Sequence, residues 1–201
     1  MIIALDGSSV DGSAYTAVVN LARRSPVWLD DTASAWSTYG LTLFAVLMAV
    51  GWWHARRVGA AASVTALAVP FVVVVAFGVD TVLKLLMREA RPCQSLRVAT
   101  LEACPAPGDW SFPSNHAAIA AAAAVALLFV SRRLGALAVV AACAMAVSRV
   151  WVGAHYPHDV LAGVAVGALA ALLAMSALRG RAQAAAMRLA ATRLRPLLVV
   201  S

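Results

Sequence analysis

The chain has 201 residues, 63% of them hydrophobic and 12% charged, with a net charge of +7 and a mean hydropathy of +0.85. A soluble globular domain uses about 45–50% apolar and about 25% charged residues, so that class is excluded and an integral membrane protein is indicated. The positive charge does not indicate a nucleic-acid partner: fifteen of the sixteen basic residues are Arg, and most stand in short clusters beside apolar runs, as topology signals and headgroup contacts do.

No low-complexity stretch or Ser/Pro-rich linker divides residues 1–201 and no internal repeat is visible, which predicts one membrane-embedded domain. The opening MIIALDGSSV has neither a basic start nor an apolar core, so the internal helices are expected to direct insertion. Residues 1–30 read as an interfacial segment. A short helix begins with Asp11 as N-cap, is apolar at Tyr15, Val18, Val19 and Leu21, and ends at Arg23 and Arg24 before Pro26. Its apolar face is too short to span a bilayer, which leaves two readings, a helix lying in the interface or one packed on the bundle.

Residues 31–53 predict the first span, about 34 Å long at 1.5 Å per residue, with Trp36 and Tyr39 near one end and Trp52 and Trp53 at the other. A basic loop with His54, Arg56 and Arg57 leads to the second span, residues 59–83, whose end carries Asp80 and Lys84. Pro92, Pro105, Pro107 and Gly108 make 88–112 a polar loop. The Ala-rich third span runs from about 115 to 131, ahead of Arg132 and Arg133, the fourth from Leu134 to about Val152, and the fifth from about Asp159 to Leu178. Residues 181–201 form an Arg-dotted tail. The predicted fold is all-α, a polytopic membrane helical bundle of about five transmembrane helices with a short N-terminal interfacial helix. Gly163 and Gly167 have the small-x3-small spacing that lets helix backbones approach, within one protomer or between two copies in a homodimer.

Orientation follows from charge. With the loops at 54–58 and 131–133 and the tail from Arg179 placed in the cytoplasm, that side holds nine Arg and no acid; the other side holds all nine acids and seven basic residues. Three of those seven, Lys84, Arg91 and Arg149, have a chemical reason to be there, so the positive-inside rule puts the far loops outside the cell. Cys93 and Cys104, eleven residues apart in such a loop, form a disulfide or stay as two free thiols, and Cys143 reads as a small apolar filler.

Three stretches at span ends gather the chemistry: KLLMREARP from Lys84 to Pro92, PSNH from Pro113 to His116, and SRVWVGAHYPHD from Ser148 to Asp159. Lys84 and Arg91, seven apart, fall on one face if the helix continues, and both then point at one anion; the plainer alternative is two snorkelling cations. Arg88 reads as solvated. Ser114 precedes the third span as an N-cap, so the amides of Asn115 and His116 lie in a first helical turn, where free N–H groups and the helix dipole favour an anion. His116 adds a titratable group to that turn. Asp159, four residues after His155, is placed to accept a hydrogen bond from one ring nitrogen and leave the other with its lone pair. His158 lacks that context and reads as a surface or supporting residue.

These residues carry a resemblance. K-x6-RP, PS-x-H and SR-x5-H-x3-D, in this order over residues 80–163, resemble the three-part signature of the type-2 phosphatidic acid phosphatase superfamily, which also includes vanadium haloperoxidases. DWSFPSNH and SRVWVGAHYPHDVLAG look like its bacterial undecaprenyl-diphosphate phosphatase branch. The resemblance implies that His155 is the nucleophile, giving a phosphohistidine, that Asp159 holds its tautomer, and that His116 protonates the leaving oxygen and then activates water. Lys84, Arg91, Ser114, Asn115 and Arg149 would bind the phosphoryl oxygens, with no metal or cofactor implied, since three fixed cations take the role magnesium plays elsewhere. Asn115 departs from the family's usual Gly; because Asn tolerates the left-handed conformation, phosphate binding is expected to survive. The implied substrate is a lipid phosphate in the plasma membrane, met from the extracytoplasmic side. Polyprenyl diphosphate is the first choice and phosphatidate or phosphatidylglycerophosphate the second. A lipid phosphotransferase with the same site and a binding or transport bundle are the competing classes.

Overall fold

The apolar runs fold as helices. The computed structural model describes residues 6–192 and 195–199; Met1 to Leu5 of the predicted interfacial segment, and Arg193, Leu194, Val200 and Ser201 of the tail, lie outside them. The order is α1 (Ser8–Ala22), α2 (Val27–Tyr39), α3 (Leu41–Val58), α4 (Ala60–Met87), α5 (Pro92–Ser95), α6 (Asn115–Val130), α7 (Arg132–Trp151), α8 (Pro157–Arg179), α9 (Ala182–Ala190) and α10 (Arg195–Leu198), with no strand among the described residues. Helices α4, α7 and α8 are each long and apolar enough to cross a membrane. Outward-facing Phe71, Val74, Val75, Val140 and Leu173 give these helices the apolar surface that lipid contact requires.

The predicted straight span over 31–53 does not form. The chain breaks at Gly40, and α2 and α3 meet at 53°, a pair whose length and composition fit a broken span or a re-entrant loop. Two features force the break. Only α3 carries the long apolar run, while α2 is dotted with Asp30, Asp31, Thr32, Ser34 and Ser37 and lies across α7. Gly40 is also pressed so closely on Trp36 and the Met145 methyl that a Cβ would collide with both.

At the centre stands α6. Its 16 residues reach only about 24 Å at 1.5 Å per residue, less than the roughly 30 Å hydrocarbon core. Nine of the sixteen are buried, eight of them Ala, which lets α4, α7 and α8 close around it. The Gly163/Gly167 face packs here: a Cβ at either glycine would run into the carbonyl of Ser114 or Ala118. The close approach is therefore within one protomer, between α6 and α8.

The N-terminal helix packs on the bundle. Tyr15, Val19 and Ala22 are buried against α7 and α8, and the Tyr15 hydroxyl donates to the Gly153 carbonyl at 2.9 Å. Asp11 does not cap the helix; it interrupts it with φ −145° and ψ 27° because its carboxylate serves α8 instead. The described part of the tail is also folded. Ala182, Ala186 and Leu198 pack on Val64 of α4, and Trp52 Nε1 and Ser63 Oγ donate to the Leu197 and Leu198 carbonyls at 3.0 and 2.7 Å. The 93–104 disulfide forms, whereas Cys143 is exposed on α7 and fills no core position. The α3–α4 and α6–α7 connections and α9–α10 thus occupy one end of the bundle, and α1, the 88–114 loop and the 152–156 turn the other.

Candidate functional site

The chain leaves α7 through a tight turn. Val152 is the C-cap, Gly153 has φ +83°, a value that favours glycine, and the amides of Ala154 and His155 both donate to the Arg149 carbonyl at 3.1 and 3.2 Å. This turn drives the His155 ring inward, where it is 2% exposed. Its Nδ1 faces Asp159 Oδ2 at 3.4 Å and Ser111 Oγ at 3.3 Å, and its Nε2 faces Arg91 Nη1 at 3.4 Å. Burial, with the Arg91 and Arg149 charges adding to it against the opposing Asp159 contact, pulls the imidazole down to about 3. The ring is neutral at physiological pH, with one nitrogen held by a carboxylate and the other carrying a lone pair.

Asp159 is fully buried in the first turn of α8. Its Oδ2 accepts the Tyr156 amide at 2.9 Å and a short bond from the Ser111 hydroxyl, while its backbone carbonyl accepts the Ser114 amide at 3.0 Å. The second and third motifs are thereby tied together. Ser114 occupies the N-cap position of α6 without capping it; Oγ is buried and has no hydrogen-bond partner. Asn115 is right-handed and helical, so the left-handed tolerance argued for it is not called upon. The first-turn amides of α6 point out of the helix by its geometry. His116, in that turn, is half-buried and close enough to Arg149, Arg91 and Lys84 to feel their charges.

The route of Arg91 to the site differs from the predicted helical face. Helix α4 stops at Met87, Arg88 turns left-handed at φ 50°, and the chain doubles back so that Arg91 arrives from a loop as the N-cap of α5. Arg88 bends the chain and bonds its own turn at the Leu85 carbonyl. Lys84, in the last turn of α4, donates to the Trp110 and Ser111 carbonyls at 3.0 and 2.9 Å, leaving one of three N–H groups. Arg91 donates to the Ala154 carbonyl at 3.0 Å and to Asp109 Oδ1 at 2.9 Å. Arg149, 4% exposed, donates to Ser37 and to Glu102 Oε2 at 3.0 Å, and its Nε is buried without a partner.

Sequence reasoning missed Ser111, Asp109, Glu102 and Ser37, of which Ser111 and Ser37 are buried and Asp109 and Glu102 exposed. Asp109 and Ser111 stand inside the DWSFPSNH run, five and three residues before Ser114, where that signal could have found them; Glu102 and Ser37 have no spacing to a motif. His158 is more than a surface residue. Its Nδ1 lies 2.8 Å from Asp11, its Nε2 3.0 Å from Glu89, and its ring stacks between Phe112 and Tyr156. Burial and the nearby Asp159 charge push the Glu89 carboxyl up to about 7. Ligand atoms of Glu89, His158 and Asp159 lie within 4.8 Å of one another. A ring donating from both nitrogens satisfies that geometry without an ion, so the set fits hydrogen bonding better than metal ligation.

Fold and site together define a multi-span helical membrane protein whose buried histidine–carboxylate pair stands among three cations and a helix N-terminus at one end of the bundle. The chain belongs to the PAP2 superfamily, whose sequence model matches residues 65–183, more than half of its length. Among curated proteins it is 37% identical over 95 residues to undecaprenyl-diphosphatase BcrC of Bacillus subtilis, covering 47% of this chain and 48% of that one. It is 36% identical over 110 residues to the undecaprenyl-diphosphatase of Sulfolobus acidocaldarius, covering 54% and 52%. The matches therefore span about half the length of these relatives. The fold is that of the transmembrane PAP2-type phosphatidylglycerolphosphate phosphatase of Bacillus subtilis, with a TM-score of 0.63 and 22% identity over 85% of this chain and 86% of that one.

Proposed function

We propose that this chain is a membrane phosphatase that cleaves a polyprenyl diphosphate to the monophosphate at the extracytoplasmic face of the plasma membrane. One observation carries the reading: His155 is buried and neutral, backed at Nδ1 by Asp159 and Ser111, with Nε2 turned toward the cations. Binding a headgroup requires cations; it does not require a nucleophile with an oriented tautomer.

His155 Nε2 attacks the terminal phosphorus, the N–P bond forms as the bridging P–O bond breaks, and His116 gives its proton to the leaving lipid phosphate. Water then attacks the phosphohistidine, His116 takes a proton from it, and the N–P bond breaks to release inorganic phosphate. Asp159 stabilises the charge on the ring during both steps. Ser114 Oγ, Arg149 Nε, the remaining Lys84 N–H, the Arg91 guanidinium and the first-turn amides of α6 at Asn115 and His116 are donors set for the equatorial oxygens. Ser114 Oγ and Arg149 Nε support this because both are buried at the site without a hydrogen-bond partner, and a bound phosphoryl group would give each one an acceptor.

The polyprenyl assignment rests on the two curated relatives and on a site at the bilayer edge, where the lipid keeps its tail in the membrane. A glycerolipid phosphate is the second reading, favoured by the fold likeness to a phosphatidylglycerolphosphate phosphatase. The test is kcat/KM for a polyprenyl diphosphate, phosphatidate and phosphatidylglycerophosphate with purified protein in one detergent. The polyprenyl diphosphate is expected to lead; preference for a glycerolipid by more than about tenfold, roughly 1.4 kcal/mol of transition-state binding, would overturn the assignment and leave the chemistry standing.

A further inference from the structure

Both site arginines are engaged by carboxylates from one loop. Glu102 meets Arg149 end-on, with Oε2 at 3.0 Å from Nη1 and Oε1 at 3.5 Å from Nη2, and Asp109 Oδ1 lies 2.9 Å from Arg91 Nη2. The pairs are asymmetric. The Arg side chains are only 5% and 10% exposed, whereas Glu102 and Asp109 are 43% and 51% exposed. The cations are fixed; the acids can swing into water at little desolvation cost. The backbone that carries Glu102 is anchored, because its amide donates to the Val152 carbonyl at 3.1 Å and the Cys93–Cys104 disulfide closes the chain two residues on.

A carboxylate against a guanidinium uses the geometry by which phosphate oxygens are bound. It is also a poorer fit than a phosphoryl group here, since it leaves Arg149 Nε and Ser114 Oγ without partners. We propose that Glu102 and Asp109 are built-in competing anions that hold Arg149 and Arg91 between turnovers and must be displaced by any entering phosphate. The proposal rests on the phosphate-site reading above. The displacement cost is common to every phosphate and leaves the ratio of two intrinsic affinities unchanged. It matters because phosphates arrive differently. A lipid phosphate confined to the membrane beside the site has a high effective concentration and bears the cost. Free inorganic phosphate in bulk water, product included, does not, so the site empties after each cycle.

The test is the dissociation constant for inorganic phosphate, measured on the full-length protein in detergent at fixed ionic strength, with lipid-phosphate turnover followed in parallel. Partly exposed ion pairs are worth about 0.2–1 kcal/mol, so Glu102→Gln and Asp109→Asn are each expected to tighten phosphate by up to about fivefold, and the double variant by more than either single variant, up to about 25-fold. Glu102→Asp, which keeps the charge but withdraws the carboxylate by one methylene, should fall between the wild type and Glu102→Gln. Each single variant tests one pair, so loss of folding in one leaves the other decisive. Unchanged or weaker phosphate binding in folded variants would overturn the proposal. Because binding is read without turnover, tightening with no lipid cleavage counts against the phosphatase reading alone, and normal cleavage with unmoved binding counts against this proposal alone.

Discussion

His155 shows how a single side chain inherits its state from its surroundings. Its imidazole is held down to about 3 by burial, against an ordinary value of about 6.5. Between those two pH values the unfolded chain binds a proton that the folded one refuses, so stability is full above about 6.5 and falls as pH drops toward 3, by up to about 1.4 kcal/mol per pH unit. The apparent melting temperature in detergent should therefore decline from pH 7 to pH 5 more steeply in the wild type than in His155→Gln; equal slopes would show that the ring is not buried neutral. At this scale the motif residues were legible because each has a fixed spacing to another: His155 to Asp159 by four residues across the start of α8, Ser114 to His116 across a helix start. Ser111 and Asp109 stand in the DWSFPSNH run without a role assigned to them there, and Glu102 has no motif position at all, since a loop can bring any of its residues to the site and only the folded path decides which.

Helices were legible where period and composition agree, and misread where a local feature overrode them. The bent α2–α3 pair came from Gly40 and from polar residues inside an otherwise spanning window. Arg91 was placed on a helical face that ends at the left-handed Arg88. The glycine face of α8 was read correctly as a close approach, and the structure assigns its partner: backbone carbonyls of α6, including that of Ser114 in the site. Gly163→Leu should therefore push α8 off α6 and cost about 1–3 kcal/mol or more, as overpacking does. The expected outcome is a lower melting temperature together with lost activity, whereas Leu161→Ala, at a position 69% exposed, should leave both near wild type. A Gly163→Leu protein with unaltered melting would mean that the two helices are not in contact.

Across the whole molecule, hydropathy alone announced a membrane bundle, and the charge contrast between its ends is the basis for expecting an outward-facing site. The fold gathers the Arg56/Arg57 and Arg132/Arg133 loops with α9–α10 at one end and the motifs with the disulfide loop at the other, consistent with an outward-facing site. With Cys143 replaced and the disulfide kept, a Cys at exposed Ala106 should react with an impermeant maleimide in intact cells, and one at Arg57 should not; the reverse pattern would invert the topology. Least legible was the way parts from both sides of the site lock it, with α1 reaching α8 through Asp11 and His158, because such contacts join positions more than a hundred residues apart. The central claim is covalent chemistry at one nitrogen, and it is tested most directly by acid-free quenching of the protein during turnover of a polyprenyl diphosphate radiolabelled in its terminal phosphate. The account predicts a label on the wild-type chain that survives base, is lost in acid, and is absent from His155→Ala; a labelled His155→Ala chain, or turnover by that variant at the wild-type rate, would contradict it.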